Sequence, residues 1–493
     1  MKRIACAALT AAMVAGCTVG PDYVRPEMAA PDAWRIDYPK AAGVANTRWW
    51  EQFGDPALNE LIDTALRENL DVRIAAARVD QFIGQLTSTQ SQFYPQLGYN
   101  LGVTRNRGST VGYPAAAPGV NPYYTLYQGA LGADWQIDLF GRVRRLSEAA
   151  RAQVYASEQG RRGVVLSLTS SAAASYITLR GLDRQLEIAL ATAENYAGTL
   201  RIFELRFKGG VVSQVELEQV RSQYQQALAA IPSLEQQIGA QENLLSLLLG
   251  RNPGPISRGK TIDELVAPAM PADLPSMLLE RRPDILQAED VLVAANANIG
   301  AAQALYFPTF SLTGTLGSVS AAFSDFLGAG SLAWQVGAGL AGPIFSFGQI
   351  EGQVRTAEAA QREALANYQR TILNAFRETN DALIGSQKKR QEAEAQARRV
   401  AALREYARLS RRKFDNGYAG YLDVLYAENE LFNAELAAVR VQAESFTQLV
   451  EVYKAMGGGW VDGASLLAPM PLLADRVRGL RPTDDASAKS GAR

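Results

Sequence analysis

The chain of 493 residues contains no histidine. That removes the commonest general base, the commonest metal ligand and the third member of most nucleophilic triads. It has two cysteines, Cys6 and Cys17, so the remainder holds no disulfide framework, Cys-based metal cluster or cysteine nucleophile. An excess of charge of either sign is missing too. The 49 Lys and Arg stand against 50 Asp and Glu, a net of −1, which offers no electrostatic case for nucleic acid. Beyond residue 16 there is no run of 18 apolar residues, so further membrane contact must use strands or an interface.

What is present starts with a leader. Lys2-Arg3 followed by the apolar run Ile4 to Ala15 reads as a secretory signal peptide over residues 1–16, too brief for a spanning helix. Val14-Ala15-Gly16-Cys17 resembles the lipobox of bacterial lipoproteins, which implies that Cys17 is acylated and becomes the mature N-terminus. Thr18 follows instead of the Asp that resembles an inner-membrane retention signal, which favours the outer membrane. Residues 17–55 are irregular, with Pro21, Pro26, Pro31 and the pair Trp49-Trp50. Proline at that density blocks helix, so this segment reads as a lipid-anchored tether that wraps something.

Asp55-Pro56 supplies an N-cap and a proline at the first helical position. The helix is expected to run to about Phe93, with Leu58, Leu61, Ile62, Ala65 and Leu66 at helical spacing. At Tyr94-Pro95 the period becomes alternating: Leu97, Tyr99, Leu101 and Val103 take one face of a strand, and Gln96, Asn100 and Thr104 the other. After a loop over roughly residues 106–121, Tyr127, Leu131, Ala133, Trp135, Ile137 and Leu139 form an apolar face against Gln128, Asp134, Gln136 and Asp138. A soluble sandwich would cover the apolar side with a second sheet. No further strands lie nearby, and lipid is the better partner.

From Arg142 the helical period returns and holds to Phe207, roughly 65 residues or about 100 Å at ~1.5 Å each. Arg206-Phe207-Lys208-Gly209-Gly210 closes it, because a basic last turn followed by Gly stops a helix. Gln214 to Leu249 runs back, with an expected kink or break at Pro232, and a Pro-rich linker covers residues 251–274. Then the pattern repeats. Pro308 stands 213 residues after Pro95, and Phe310, Leu312, Gly314 and Leu316 keep that offset from Leu97, Tyr99, Leu101 and Val103. The next loop is six residues shorter, so later landmarks are offset by 207: Phe347-Gly348 on Phe140-Gly141, Lys413-Phe414-Asp415-Asn416-Gly417 on the first tip, Gly457 on Gly250. Such constancy marks internal duplication, with repeat 1 over 56–250 and repeat 2 over 275–457, each a helix, two strands and a long helical hairpin. The last helix carries Leu422, Leu425, Phe432, Leu436 and Val439 at coiled-coil spacing. Residues 458–493 are Gly, Pro and charge, expected to be a largely disordered tail.

Each repeat thus offers two strands of about 9 to 11 residues, enough to cross a bilayer at a tilt. Four strands cannot close a barrel, and an open sheet in lipid leaves backbone groups unsatisfied at several kcal/mol each. Closure therefore needs other copies: two give eight strands, three give twelve. The anchor fixes the chain start at the periplasmic side, and each strand pair goes out and returns, so all helices lie on that side. The fold class is a mixed α and β membrane protein, a barrel prolonged by a helical tube.

Several motifs also carry a resemblance. Gly20-Pro21-Asp22-Tyr23-Val24-Arg25-Pro26, then Trp49-Trp50 with Phe53, Asp55-Pro56 and Leu58, resemble the opening of the TolC-like outer-membrane efflux channels in their NodT-type lipoprotein branch. Arg281-Arg282-Pro283-Asp284-Ile285, Asn298-Ile299-Gly300 and Phe307-Pro308 resemble its mid-chain signature; Gly342-Pro343-Ile344-Phe345 and Gly457-Gly458-Gly459-Trp460 match its second-half strand and its end. The resemblance implies a homotrimer with a twelve-stranded barrel, four strands per chain, continued by a periplasmic α-helical coiled-coil barrel. It also implies a periplasmic adaptor (membrane fusion) protein and an inner-membrane pump, most often of the resistance-nodulation-division class. No cofactor is expected beyond the lipid on Cys17.

On that basis Lys208, Gly209, Gly210, Val212 and Ser213 form the tip where an adaptor docks. Asp415, Asn416, Gly417, Tyr418 and Asp423 border the periplasmic aperture. Some relatives place a gating Asp two residues after the second tip's Gly; here that residue is Ala419. Asp415 and Asp423 flank it, either as a displaced carboxylate ring or as solvated charges near a helix end. Asp134 and Asp138 face the barrel lumen, wetting a water-filled pore or favouring cationic solutes. The main reading is a passive exit duct for small molecules, with type I protein secretion as runner-up. A lipid-anchored hydrolase using paired carboxylates is a second class, with no compact cleft-bearing domain legible. A non-conducting structural coiled-coil lipoprotein is a third, and the amphipathic strands argue against it.

Overall fold

The structure, a computed structural model, describes residues 18–28, 31, 34, 48–109, 121–268, 278–458 and 461–473. The signal peptide, Cys17, Gly459-Trp460 and residues 474–493 of the expected tail lie outside the described residues. In chain order the elements are α1 (Pro56–Glu68), α2 (Leu70–Ser91), β1 (Gln96–Arg107), β2 (Tyr123–Ile137), α3 (Arg142–Lys208) and α4 (Gln214–Leu248). There follow α5 (Leu278–Arg281), α6 (Pro283–Gln303), β3 (Thr309–Ser320), β4 (Leu332–Ala341), α7 (Gln349–Asp415), α8 (Tyr421–Ala455) and α9 (Val461–Leu467). The duplication holds to the residue in three pairs of elements. β1 and β3 have 12 residues each, α3 and α7 have 67 each, α4 and α8 have 35 each, and their ends keep the 213 and 207 offsets. The glycines that close the repeated turns share the left-handed backbone: Gly141 and Gly348, Gly210 and Gly417, Gly250 and Gly457.

The four strands form one antiparallel sheet in the order β1-β2-β3-β4. The main core gathers around the middle of α3. Trp49 stacks on Tyr453 at 5.1 Å, Phe53 meets Phe446 edge-on, and α1, α3 and α8 close around them. Asp55 is fully buried there, accepting from Ala57 N at 2.9 Å, Tyr176 Oη at 2.8 Å and Lys260 N at 3.1 Å.

Four expectations change. The first helix is two helices, because the Asn69 side chain accepts from Asp71 N and Val72 N and restarts the chain, while its amide donates to Leu248 O at 2.9 Å. The linker is a packed part of the core through Ile256, Ile262 and Leu265. The tail begins with α9, which buries Ala464 in that core, as does Ala468 just after it; Leu472 N and Leu473 N then donate to the Asp80 carboxylate. Of the kink or break expected at Pro232 the break does not occur, since α4 is continuous from Gln214 to Leu248.

The tether is pinned where strand becomes helix. Arg145 donates to Val19 O and Gly20 O and pairs with Asp22 at 2.7 Å, and Val19 N donates to Phe140 O. A Cβ on Gly20 would lie 2.2 Å from Gly300 Cα, so only glycine lets the two backbones meet. Further on, Tyr23 and Arg25 reach Glu289, and Arg282 is shared by Asp284, Glu378 and Ala455 O, which ties α6 to α7 and α8.

Candidate functional site: the two-faced sheet and the paired helix tips

The strand register puts apolar with apolar across all four strands. Tyr99 faces Leu131, Leu131 faces Leu316, and Leu316 faces Trp334. Trp334, Val336 and Tyr99 are 72%, 78% and 79% exposed, so none of the described residues covers this face. The other face carries Gln96, Asp134, Thr313 and Gly337, again as successive partners. One side is therefore suited to hydrocarbon and the other to water. Asp134 stands on the polar face as expected. Asp138 lies one residue beyond β2: its carboxylate accepts from Val143 N at 3.1 Å and Arg144 N at 2.9 Å, so it caps α3 instead of standing free on the strand.

At the far ends of the long helices the two tips are built alike. Gly210 N donates to Phe207 O and Val211 N to Arg206 O; in the second tip Gly417 N donates to Phe414 O and Tyr418 N to Lys413 O. These are paired carbonyl-satisfying closures that need a left-handed residue. Beyond the closures they differ. Ser213 and Glu216 form a capping box on α4, whereas Gly420 gives α8 no side-chain cap. Lys208, Gly209 and Gly210 are exposed, and Val212 packs inward. On the second tip Asp415 lies 3.9 Å from Arg411, Asn416 donates to Arg412 O, Tyr418 is 85% exposed, and Asp423 sits exposed in the first turn of α8.

The tips are clasped to each other, which sequence reading missed. Phe203, Leu217 and Val220 of the first hairpin share one cluster with Tyr421, Val424 and Leu425 of the second. Phe203 and Tyr421 lie 4.3 Å apart, and Phe414 meets Tyr421 edge-on at 4.9 Å. Arg206 lies over Phe203 and Phe414, and Arg411 over Tyr421. Arg411 also reaches Glu428 at 3.5 Å. Burial pushes the Glu428 carboxyl above its ordinary value, with Arg411 pulling the other way. Burial likewise raises Tyr421, helped by Glu428. The available signal was the seven-residue spacing of Tyr421 and Glu428, which puts both on one helix face. A polar cavity of about 410 Å³ opens beside them, lined by Asn195, Tyr196, Arg411, Glu428 and Glu435. Above it, Arg404–Glu435, Arg399–Glu430 and Lys389–Glu444 lace α7 to α8.

Comparison with known proteins agrees with this geometry. A family model described as Outer membrane efflux protein matches twice, over residues 61–251 and 274–458; the second match starts 213 residues after the first and ends 207 after it. The chain is similar to the probable outer membrane lipoprotein SilC of Salmonella typhimurium, 32% identical over 91% of this chain and 97% of the relative. It is 33% identical to the cation efflux system protein CusC of Escherichia coli, over 90% and 96%. With the toluene efflux pump outer membrane protein TtgC of Pseudomonas putida it shares 31% identity, over 94% and 96%. Among solved structures, the open state of the Neisseria gonorrhoeae MtrE outer membrane channel superposes with a TM-score of 0.82 at 28% identity, covering 90% of this chain and 99% of that one. The duplicated helix, strand-pair and hairpin units, the two-faced sheet and these matches together make the chain a member of the outer membrane efflux protein family, the outer-membrane exit duct of an efflux pump.

Proposed function

We propose that the chain assembles as a homotrimer whose twelve-stranded barrel and periplasmic helical tube passively conduct small molecules out of the cell. The observation that carries this reading is the sheet: one continuous apolar face, one continuous polar face, and open edges at β1 and β4 that lipid cannot satisfy. Cys17 carries the lipid anchor. In support, Val19 is hydrogen-bonded to Phe140 at the β2–α3 junction, the level at which the strands leave the hydrocarbon. The helices extend from that junction into the periplasm toward an adaptor and an inner-membrane pump, taken to be of the resistance-nodulation-division class.

Cargo is small-molecule, not protein. Relatives named for cations and for toluene match almost equally well, at 33% and 31% identity, which fits a duct that leaves selection to its pump. Lys208, Gly209, Gly210, Val212 and Ser213 serve as the docking tip. Asp415, Asn416, Gly417, Tyr418 and Asp423 border the aperture, and Asp134 lines the lumen. Deleting the gene is expected to sensitise cells to at least one class among antibiotics, solvents and metal ions; unchanged sensitivity across all three would contradict the reading. Cys17→Ser is expected to abolish palmitate labelling, and retained label would contradict the anchor. Replacing Asp415 and Asp423 together by Asn is expected to raise closed-state conductance, and an unchanged value removes the gating role.

A further inference from the structure

The apolar face of the sheet changes character at the end away from the helices. Along β1 it carries Leu97, Tyr99, Leu101 and Val103, and the next two positions on the same face are Arg105 and Arg107. Their partners in β2 are Thr125 and Tyr123, where the levels nearer the helices have Leu131 and Ala133. Arg105 and Arg107 stand 9 and 11 residues after Gln96. At about 3.3 Å per residue and a tilt of about 45° that lifts them about 21 and 26 Å, to the top of an apolar band about 25 Å tall. An arginine facing hydrocarbon is strongly penalised at the bilayer midplane and tolerated at the interface. The pair therefore sits where the headgroups of the outer leaflet begin.

Neither guanidinium is spent inside the fold. Arg105 Nη1 donates to Thr125 Oγ1 at 2.7 Å, and Arg107 lies over the Tyr123 ring at 5.7 Å. Among the described residues neither meets a carboxylate. Both side chains are exposed, and a guanidinium carries its N–H donors in a planar fork, so most of them remain for a ligand. The connection from β1 to β2, residues 108–122, contains no acidic residue. Among the described residues at this end of the sheet the one acid is Asp325, to which Ser324 Oγ donates at 3.1 Å. The positions 213 residues further on are Ser318 and Ser320, whose hydroxyls donate to Phe326 O and Ala322 O of the adjoining loop. The cationic pair thus departs from the duplication and occurs in repeat 1 alone.

Directly below the pair the wall is apolar and aromatic. Tyr127, the partner of Val103, meets Phe323 at 5.6 Å, and a Cβ on Gly129 would lie 2.9 Å from the Phe326 ring. The β3–β4 loop therefore folds onto the apolar face, and its Phe323 and Leu327 are 73% and 91% exposed. Two cations about 7 Å apart above such a wall match an amphiphile with an anionic head. We infer that Arg105 and Arg107 bind the phosphate of a phosphorylated glycolipid of the outer leaflet, lipid A, whose acyl chains lie along Leu101, Val103 and Phe323. Each guanidinium can offer a phosphate two parallel N–H donors. The inference rests on the barrel reading proposed above and adds a bound lipid to it.

The test is native mass spectrometry of the assembled full chain in detergent, with bisphosphorylated lipid A, the same lipid stripped of its phosphates, and inorganic phosphate as probes. The wild type is expected to retain bisphosphorylated lipid A roughly tenfold more than the stripped lipid. Arg105→Gln combined with Arg107→Gln is expected to bring the two lipids level. Equal retention of both lipids by the wild type overturns the site, and that result needs no variant to fold. A double variant that sizes as the wild type and keeps the preference overturns it too. An excess of inorganic phosphate is expected to leave the bound lipid in place; its release would assign the arginines to free phosphate and overturn the lipid. A chain that does not enter lipid bilayers overturns the barrel reading along with this one, whereas a chain that enters them and shows no phosphate preference overturns this inference alone.

Discussion

Asp55 combines what sequence shows with what it hides. Its N-cap role follows from the Asp-Pro dipeptide, but its bonds to Tyr176 and Lys260 N come from positions 121 and 205 residues away and left no local trace. Asp55→Ala leaves those buried donors unpaired and removes a cap, a cost on the order of 3 kcal/mol, expected as a lower denaturation midpoint. Gly259 belongs to the same device, since a Cβ there would lie 2.0 Å from the Asp55 carboxylate. Glu428 carries the pH dependence at this scale. Its carboxyl is raised by burial, so the folded chain holds that proton more tightly than the unfolded chain. Its stabilising contribution is therefore full below the ordinary value of 4.5 and is lost as pH rises through the raised value. Melting curves taken from about pH 4 to neutrality should show the wild-type protein losing stability over that window and Glu428→Gln losing less. Equal slopes would contradict the assignment.

The elements were legible to the degree that their signals were local and repeated. Strand facing, helix length and both tips follow from period and from Gly positions that recur at a fixed offset. The break at Asn69 was not legible, because Leu58 to Leu66 and the residues after Asn69 share one helical period and only the bond to Leu248 O favours the cap. The packed linker and α9 were missed for a related reason. Their apolar residues are few and irregularly spaced, and they are buried by a surface assembled from distant helices. The repeated glycines give a ranking that tests this scale. At Gly417 nothing lies within 4 Å of an added Cβ, so Gly417→Ala costs only the left-handed backbone, about 1 kcal/mol. At Gly250 the same atom would lie 2.4 Å from Glu68 O, so Gly250→Ala is expected to lower the denaturation midpoint further. The clasp between the tips should yield to Tyr421→Ala, which removes the ring between Phe203 and Phe414. Faster backbone hydrogen exchange over residues 203–217 and 414–425 is the expected result, with the core around Trp49 unchanged.

At the scale of the whole molecule, one chain holds two copies of a unit that no single copy can complete. Each sheet edge is an unmet requirement, and the tether, the sheet and the long helices set the membrane level, the wall and the reach. The two faces of the sheet are expected to differ sharply under substitution. Val336→Arg puts a charge toward lipid at a cost of about 2–4 kcal/mol and should reduce assembled protein in the outer membrane, whereas Gln335→Arg on the polar face should assemble normally. What the sequence left open at this scale was the join between hairpins, since a contact such as Phe203 with Tyr421 spans two repeats and has no periodic signature. The most direct test of the duct is single-channel recording of the assembled protein in a planar lipid bilayer, for wild type and Tyr421→Ala. The expected result is an ohmic pore that needs no energy source and widens when the clasp is removed; assembled protein that conducts in neither form would contradict the account.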